Sequence, residues 1–453
     1  MQIKQWEDKN LAQFSYGILS DGEKKLILID PSRNPQPYLD FSKEKEAEII
    51  GIIETHLHAD FVSSHLELHQ ITGARIYASS MVDAAYPHNT FDEGDSIEFG
   101  KIKLSPLSTP GHSPDSITIL LEHEGKQKAL FTGDTLFIGD CGRPDLREGG
   151  ENSSNNGTEL AKKMYHSLRN KIMTLNDEIV LYPGHGAGSL CGKGISKANS
   201  SFIGNEKQSN WSLQTMAEDE FAQTLLSDKP FIPAYFAYNV ELNRKGAASF
   251  RESIGKINIG DTIEDNVDSS RLNKATWIVD ARRQEDYKDG HLPQSINLME
   301  GEKFETWLGS IINPGELFYL AGYSQEQLQR LIGRAAAIGY ETQIKDAFIL
   351  RSATQKEERI DMAIFRENME DYTIIDVRNA AEIKEVEIFK NSINIPLAEL
   401  RNTVNDIPTE KPVIVHCAGG YRSAAGSSML SSALNGKVKV FDMGEAINEF
   451  SKK

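Results

Sequence analysis

Ile49-Ile50-Gly51-Ile52-Ile53-Glu54-Thr55-His56-Leu57-His58-Ala59-Asp60-Phe61 decides how the first part of the chain is read. Its opening five residues are apolar and β-branched around one glycine, which marks a short buried strand. Directly behind it stand two imidazoles and a carboxylate within five residues, donors that suit iron, zinc or manganese. On extended backbone His56 and His58 point to the same side, because strand side chains alternate. By itself the hexapeptide Thr55–Asp60 also fits an exposed polar loop.

Three stretches downstream supply further ligand types. His112 lies in Thr109-Pro110-Gly111-His112-Ser113, Asp134 in Phe131-Thr132-Gly133-Asp134-Thr135, and His185 in Pro183-Gly184-His185-Gly186. Strands are expected over Leu26–Asp30, Ile49–Ile53, Arg75–Ala78, Ile97–Leu104, Ser116–Glu122, Ala129–Thr132 and Glu178–Tyr182, with helices over Val62–Ile71 and Gly157–Leu175. Each candidate ligand therefore follows a strand or lies in a glycine-containing loop at a strand end, where sites in layered α/β folds are built. Residues 196–245 read as a helical extension leading into a proline-punctuated linker.

The chain is 453 residues long, too many for one ordinary core, so several domains are expected. A formal net charge of −17 with no basic block argues against a nucleic-acid partner. No apolar run approaches membrane length, so no membrane partner is expected. The N-terminus lacks the apolar core of a signal peptide. Cys141, Cys191 and Cys417 are far apart and form neither a disulfide framework nor a cysteine-only zinc site. A cytoplasmic, reducing location follows, in which an isolated cysteine that matters is catalytic more often than structural.

From about residue 246 the pattern repeats. Trp277-Ile278-Val279-Asp280-Ala281-Arg282 is echoed by Thr373-Ile374-Ile375-Asp376-Val377-Arg378. Gln294–Leu298 is echoed by Asn391–Leu397, and Leu317–Gly322 by Pro412–Gly419. Three matched segments in one order, about 95 residues apart, mean a duplicated α/β domain with a mostly parallel sheet. The expected segments are 1–245, 246–354 and 355–453. In the last, Cys417 sits between a buried strand and a helix, followed by Ala418-Gly419-Gly420. Small residues allow a tight loop whose backbone N–H groups face the sulfur, and the helix adds its positive end. Arg422 adds a charge, so a thiolate able to carry sulfur is expected.

The order of the four ligand motifs resembles the metallo-β-lactamase superfamily, over about the first 195 residues. The resemblance implies an αββα sandwich, followed here by the two α/β repeats. Two-metal members of that superfamily carry a histidine after the motif's aspartate, where this chain has Phe61. The remaining set is similar to the mononuclear persulfide dioxygenases. It implies His56, His112 and Asp134 as ligands of one non-haem Fe(II), a facial arrangement with open positions, and His58, Asp60 and His185 as groups that orient ligands or substrate, or that hold a weaker second metal. Gly142-Arg143-Pro144-Asp145 also resembles that family, with Arg143 either holding a substrate carboxylate or locking Asp145. Cys191, in a stretch resembling members fused to sulfurtransferase domains, is a relay thiol or a small buried structural cysteine.

The Cys417 loop resembles the rhodanese active site, which implies Cys417 as sulfur carrier with Arg422 beside it. The Gly-His usual before the Ile393–Leu397 segment is replaced by Glu387-Ile388-Phe389-Lys390. The first repeat keeps the family frame, including Asp289-Gly290-His291-Leu292-Pro293, but has no cysteine and is expected to be a spacer or docking surface. These resemblances imply oxidation of a small-molecule thiol persulfide by O2 to sulfite, then conversion to thiosulfate. The expected partners are those small molecules and, as a homo-oligomer, further copies of the chain. The alternatives are a zinc-dependent thioester hydrolase like glyoxalase II joined to a sulfur carrier, and a non-enzymatic sulfide sensor switched by Cys417.

Overall fold

Leu26 and Leu28 face one way and Ile27 and Ile29 the other, and both sets are buried in different cores. A strand packed on both faces needs a layer on each side, and the architecture follows from that. The computed structural model of the protein describes residues 1–146, 156–264 and 268–450, so 265–267 and 451–453 of the expected second and third segments lie outside the described residues. By its internal packing the chain divides into residues 1–252 with 337–339, and residues 253–336 with 340–453.

The first unit holds two six-stranded sheets. One runs β1 (Gln2–Asp8), β2 (Gln13–Ser20), β3 (Lys25–Ile29), β4 (Glu48–Ile53), β5 (Arg75–Ala78) and β6 (Asn89–Thr90) in that order, antiparallel through β3 and parallel from there on. The other contains β7 (Ile97–Phe99), β8 (Ile102–Ser108), β9 (Ile117–His123), β10 (Lys126–Gly133), β11 (Val180–Pro183) and β12 (Ser201–Phe202), in the order β12-β11-β10-β9-β8-β7. Phe14, Tyr16, Ile27 and Ile29 from one sheet meet Ile117, Ile119, Leu121 and Phe131 from the other in a shared core. Helices Gln36–Glu44 and His65–Thr72 cover the outer face of the first sheet, through Tyr38, Phe41 and Leu68. Helices Asn156–Ser167, Ile203–Ser209 and Glu218–Leu226 cover the second, through Ala161, Met164, Ile203, Phe221 and Leu225. This is the αββα sandwich.

Three elements differ from expectation, each for a local reason. The single strand expected over Ile97–Leu104 is the hairpin β7–β8, turned at Gly100, whose φ of +59° suits glycine. The helix expected from Val62 begins at His65, because Ser63 donates its N–H to Asn243 instead of entering a helical turn. The helix expected over Gly157–Leu175 stays α-helical to Ser167 and widens to a π-turn over Leu168–Ile172. Residues 196–245 are helical as expected but form part of the core, with Leu213, Phe221 and Leu225 buried against the second sheet.

The second unit holds two four-stranded parallel sheets of identical order. In the first, β13 (Trp277–Asp280), β14 (Ser295–Asn297), β15 (Phe318–Gly322) and β16 (Ile344–Ile349) run β14-β13-β15-β16. In the second, β17 (Thr373–Asp376), β18 (Ile393–Asn394), β19 (Val413–His416) and β20 (Val440–Asp442) run β18-β17-β19-β20. The duplication extends to side chains. Arg282 forks onto Asp280 at 2.7 Å and Arg378 onto Asp376 at 2.6 Å, while Asn297 and Asn394 each donate to the carbonyls of that aspartate and arginine.

Candidate functional site

All four ligand-bearing loops leave the ends of strands β4, β8, β10 and β11. The loop after β4 is fixed from beneath. Asp30 accepts hydrogen bonds from the N–H and the hydroxyl of Thr55, both at 2.7 Å, and Asp115 accepts the N–H of Leu57 at 2.8 Å. Asn243, on helix Tyr235–Lys245 and fully buried, donates to the carbonyls of His58 and Phe61 and accepts the N–H of Ser63, each at 2.8 Å. Gly133 at the end of β10 takes φ +49°, and a Cβ there would fall 2.4 Å from the Thr55 hydroxyl. That close approach brings Asp134 up to His56.

The structure gathers the candidate ligands into three buried groups. In the first, one ligand atom each of His56, His112 and Asp134 lies within 4.8 Å of the others. Nε2 of His112 is 3.5 Å and Nε2 of His56 3.9 Å from Asp134 Oδ2. His112 Nδ1 lies 2.8 Å from the carbonyl of Arg143. A carbonyl only accepts, so Nδ1 carries the proton and Nε2 offers its lone pair to the centre. Both oxygens of Asp134 are buried without a hydrogen-bond partner, an arrangement that is costly unless a cation faces them. The residues fit a metal ion.

The second group is Asp60, His185 and Cys191. His185 Nε2 is 3.3 Å from Asp60 and 3.6 Å from Asp134, while its Nδ1 donates to the carbonyl of Ala12 at 3.2 Å. Burial pushes the Cys191 thiol well up, with Asp60 and Asp134 adding to it. Burial also raises Asp60, against the pull of His185.

His58 belongs to the third group, with Asp30 and Glu54, at 3.1 and 3.5 Å. Burial disfavours its charge, yet the two carboxylates hold its pKa above the ordinary range. Glu54 is itself pushed up by burial and by Asp30. Placed between these two carboxyl groups, His58 braces the loop from its inner side. Phe61 packs on its ring, centroids 4.3 Å apart, and is 1% exposed. Burying such a ring contributes roughly 1.5–3 kcal/mol. His65 is fully buried 3.7 Å from Glu54 and is pushed down to about 3 by burial and by its cationic neighbours His58 and Arg33, so it stays neutral.

Of the two readings of Arg143, the structure shows the pair with Asp145. Nε and Nη2 bind the carboxylate at 2.8 and 2.6 Å, and Nη1 donates to the carbonyl of Pro230 at 2.6 Å. The Asp145 carboxyl is buried, but Arg143 and Lys229 hold it below its usual range. Arg143 orders the loop whose carbonyl orients His112.

At the other end of the chain, Cys417 is 2% exposed between β19 and helix Tyr421–Leu434. The Gly420 N–H donates to its sulfur at 3.1 Å. Gly420 has φ +100°, and a Cβ would meet the backbone of Gly444 at 3.0 Å, so only glycine turns this loop without strain. Arg422 is committed to Glu382 through two bonds of 2.5 and 2.7 Å. Phe389, from the stretch standing where Gly-His is usual, packs edge-on against His416 at 5.0 Å.

Asp30, Glu54, Asp115 and Asn243 are positioning residues that motif reading passes over. Asp30 alone carries a signal, as an acid ending an apolar strand. Asn243 comes from a distant helix, and no local pattern marks it.

Comparison with known proteins agrees with this geometry. Residues 11–185 match the metallo-beta-lactamase superfamily, and residues 263–350 and 361–453 match the rhodanese-like domain. A solved metallo-beta-lactamase from Staphylococcus aureus subsp. aureus COL superposes with a TM-score of 0.68 at 30% identity, covering 77% of this chain and 99% of that one. Human mitochondrial persulfide dioxygenase ETHE1 is 32% identical over 174 residues, 38% of this chain; the match spans 63% of the human protein's length. Hydroxyacylglutathione hydrolase GloC of Haemophilus influenzae is 28% identical over 219 residues, 44% of this chain and 92% of that protein. The chain belongs to the metallo-β-lactamase superfamily, and it joins that fold to two rhodanese-like domains. Its similarity to persulfide dioxygenases lies in the first of these parts. Among the described residues no helix is long and apolar enough to cross a membrane.

Proposed function

We propose that the chain is a persulfide dioxygenase–sulfurtransferase. It oxidises the outer sulfur of a low-molecular-weight thiol persulfide to sulfite and converts sulfite to thiosulfate, detoxifying sulfide. The observation that carries this is the buried His56–His112–Asp134 group, together with Phe61, packed on His58, at the position where two-metal relatives place a ligand. The three segments 1–245, 246–354 and 355–453 would be the oxidising domain, a cysteine-free rhodanese-like domain and the sulfur-carrying domain. Three free cysteines fit a reducing cytoplasm.

His56, His112 and Asp134 would hold one ferrous ion, which when bound supplies the electron transfer that lets O2 react with a persulfide sulfur. Arg143, through its carbonyl, keeps the His112 lone pair aimed at the centre. Asp30 and Glu54 flank His58 at 3.1 and 3.5 Å and hold its ring beside the loop. Phe61, buried against His58, offers no ligand where two-metal relatives have one. The net change is RSSH + O2 + H2O giving RSH and sulfite with its protons. Gly420 and the following helix hold Cys417 as carrier of a sulfane sulfur. Having both steps in one chain raises the effective concentration of a reactive intermediate.

The Asp60–His185–Cys191 group and the similarity to GloC favour a second reading, a two-metal thioester hydrolase. Product analysis separates them. With a thiol persulfide and O2, wild type yields thiosulfate and Cys417→Ser yields sulfite. Equal products from both, or hydrolysis of hydroxyacylglutathione without O2 uptake, contradict the proposal.

A further inference from the structure

Helix Tyr235–Lys245 and the residues leading into it are tied to two of the ligand-bearing loops. At the near end is the loop that follows Asp134. There Lys229 pairs with Asp145 at 2.9 Å, and the Pro230 carbonyl accepts from Arg143 at 2.6 Å. Arg143 is the residue whose own carbonyl orients His112. At the far end is the loop that presents His56, where Asn243 holds the carbonyls of His58 and Phe61. Between these ends Val240 packs against the small cluster of Leu57, Ala78 and Val82, and Leu57 stands between the two histidines of the motif. A segment anchored on both loops runs past the ligands they carry.

Asn239 stands on the buried face of this helix, one turn before Asn243 and roughly 6 Å from it along the axis. It is 0% exposed, and among the described residues neither its amide nitrogen nor its amide oxygen has a hydrogen-bond partner. Asn243 uses both of its own. A buried amide with both atoms unpaired is a standing cost to the fold, one that a leucine of similar size would remove. A side chain kept at that cost beside a metal-ligand loop is suited to a partner that comes with the substrate.

What Asn239 offers defines that partner. Its nitrogen calls for an acceptor and its oxygen for a donor. A neutral amide supplies both in one planar group. A carboxylate satisfies only the nitrogen and an ammonium only the oxygen, and each brings a charge that is costly to bury. We propose that Asn239 binds an amide group of the thiol persulfide, so that the substrate is an amide-bearing thiol, of the glutathione or pantetheine kind, and not a simple alkyl thiol. This rests on the dioxygenase reading and adds the substrate class to it. Asn239 makes and breaks no covalent bond; it fixes how the thiol lies, and so how its outer sulfur approaches the His56–His112–Asp134 group.

The test compares the full iron-loaded chain as wild type and as Asn239→Leu. The substrates are glutathione persulfide, pantetheine persulfide and, without an amide, ethanethiol persulfide. Loss of two neutral hydrogen bonds predicts about a tenfold or larger rise in the variant's KM for at least one amide-bearing persulfide, measured by O2 uptake. Its KM for ethanethiol persulfide and its kcat change far less. Pantetheine or glutathione alone should raise the denaturant midpoint of wild type and not that of the variant, a readout that needs no turnover. With no thiol added, Asn239→Leu should unfold at a midpoint no lower than wild type's, since it gives up no bond within the fold. A variant that unfolds more easily, or does not fold, shows that the amide is paired within the protein and overturns this proposal alone. So does a variant whose KM is unchanged for both amide-bearing persulfides, or is raised equally for all three. Wild type that consumes no O2 with any of the three overturns the dioxygenase reading, and this proposal with it.

Discussion

Asn243 shows how one uncharged side chain can set a candidate metal site. It holds the two carbonyls and the N–H of the loop that presents His56, and replacing it with alanine leaves three buried backbone groups unpaired. Asn243→Ala is expected to cost about 2–4 kcal/mol in denaturant unfolding and to weaken metal binding about tenfold or more in a chelator competition. His416 carries a pH dependence. Burial pushes it down to about 4, with Arg378 in the same direction and Asp376 opposing. Its unfolded pKa is near 6.5, so its contribution to stability is full above that value. As pH falls the unfolded chain takes the proton first, and stability is lost at up to about 1.4 kcal/mol per pH unit until the folded value is reached. Unfolding midpoints of His416→Asn should therefore fall less than wild type's over that window.

At the scale of elements, the turn between β19 and its helix is the most constrained. Gly420→Ala places a side chain on a left-handed backbone against Gly444. It is expected to cost about 1–3 kcal/mol and, because the Gly420 N–H contacts the sulfur, to lower cyanide-coupled sulfurtransferase activity. Wild-type activity with unchanged stability would contradict this. The cores of strands β3, β4 and β19 and the Ala129–Phe131 part of β10 can be read from the sequence, because each is a short apolar run buried on both faces. The hairpin at Gly100 is concealed by apolar residues on both arms. The boundary at His65 depends on the Ser63 N–H donating to a residue 180 positions away from it.

At the scale of the molecule, the duplication is visible in three matched segments, and the sheets bear it out in order and register. The His56–His112–Asp134 group is readable because each member follows a strand. The grouping of His58 with Asp30 and Glu54 is not, since alternation along a strand says nothing about a loop. The central claim is that one iron per chain and a persulfide are enough for oxidation. Oxygen uptake by anaerobically iron-loaded protein, with metal content measured on the same sample, tests it most directly. One bound Fe(II) per chain with O2 consumed only when a thiol persulfide is added is the predicted result; no uptake with any thiol persulfide, or activity that needs two metal ions, would contradict it.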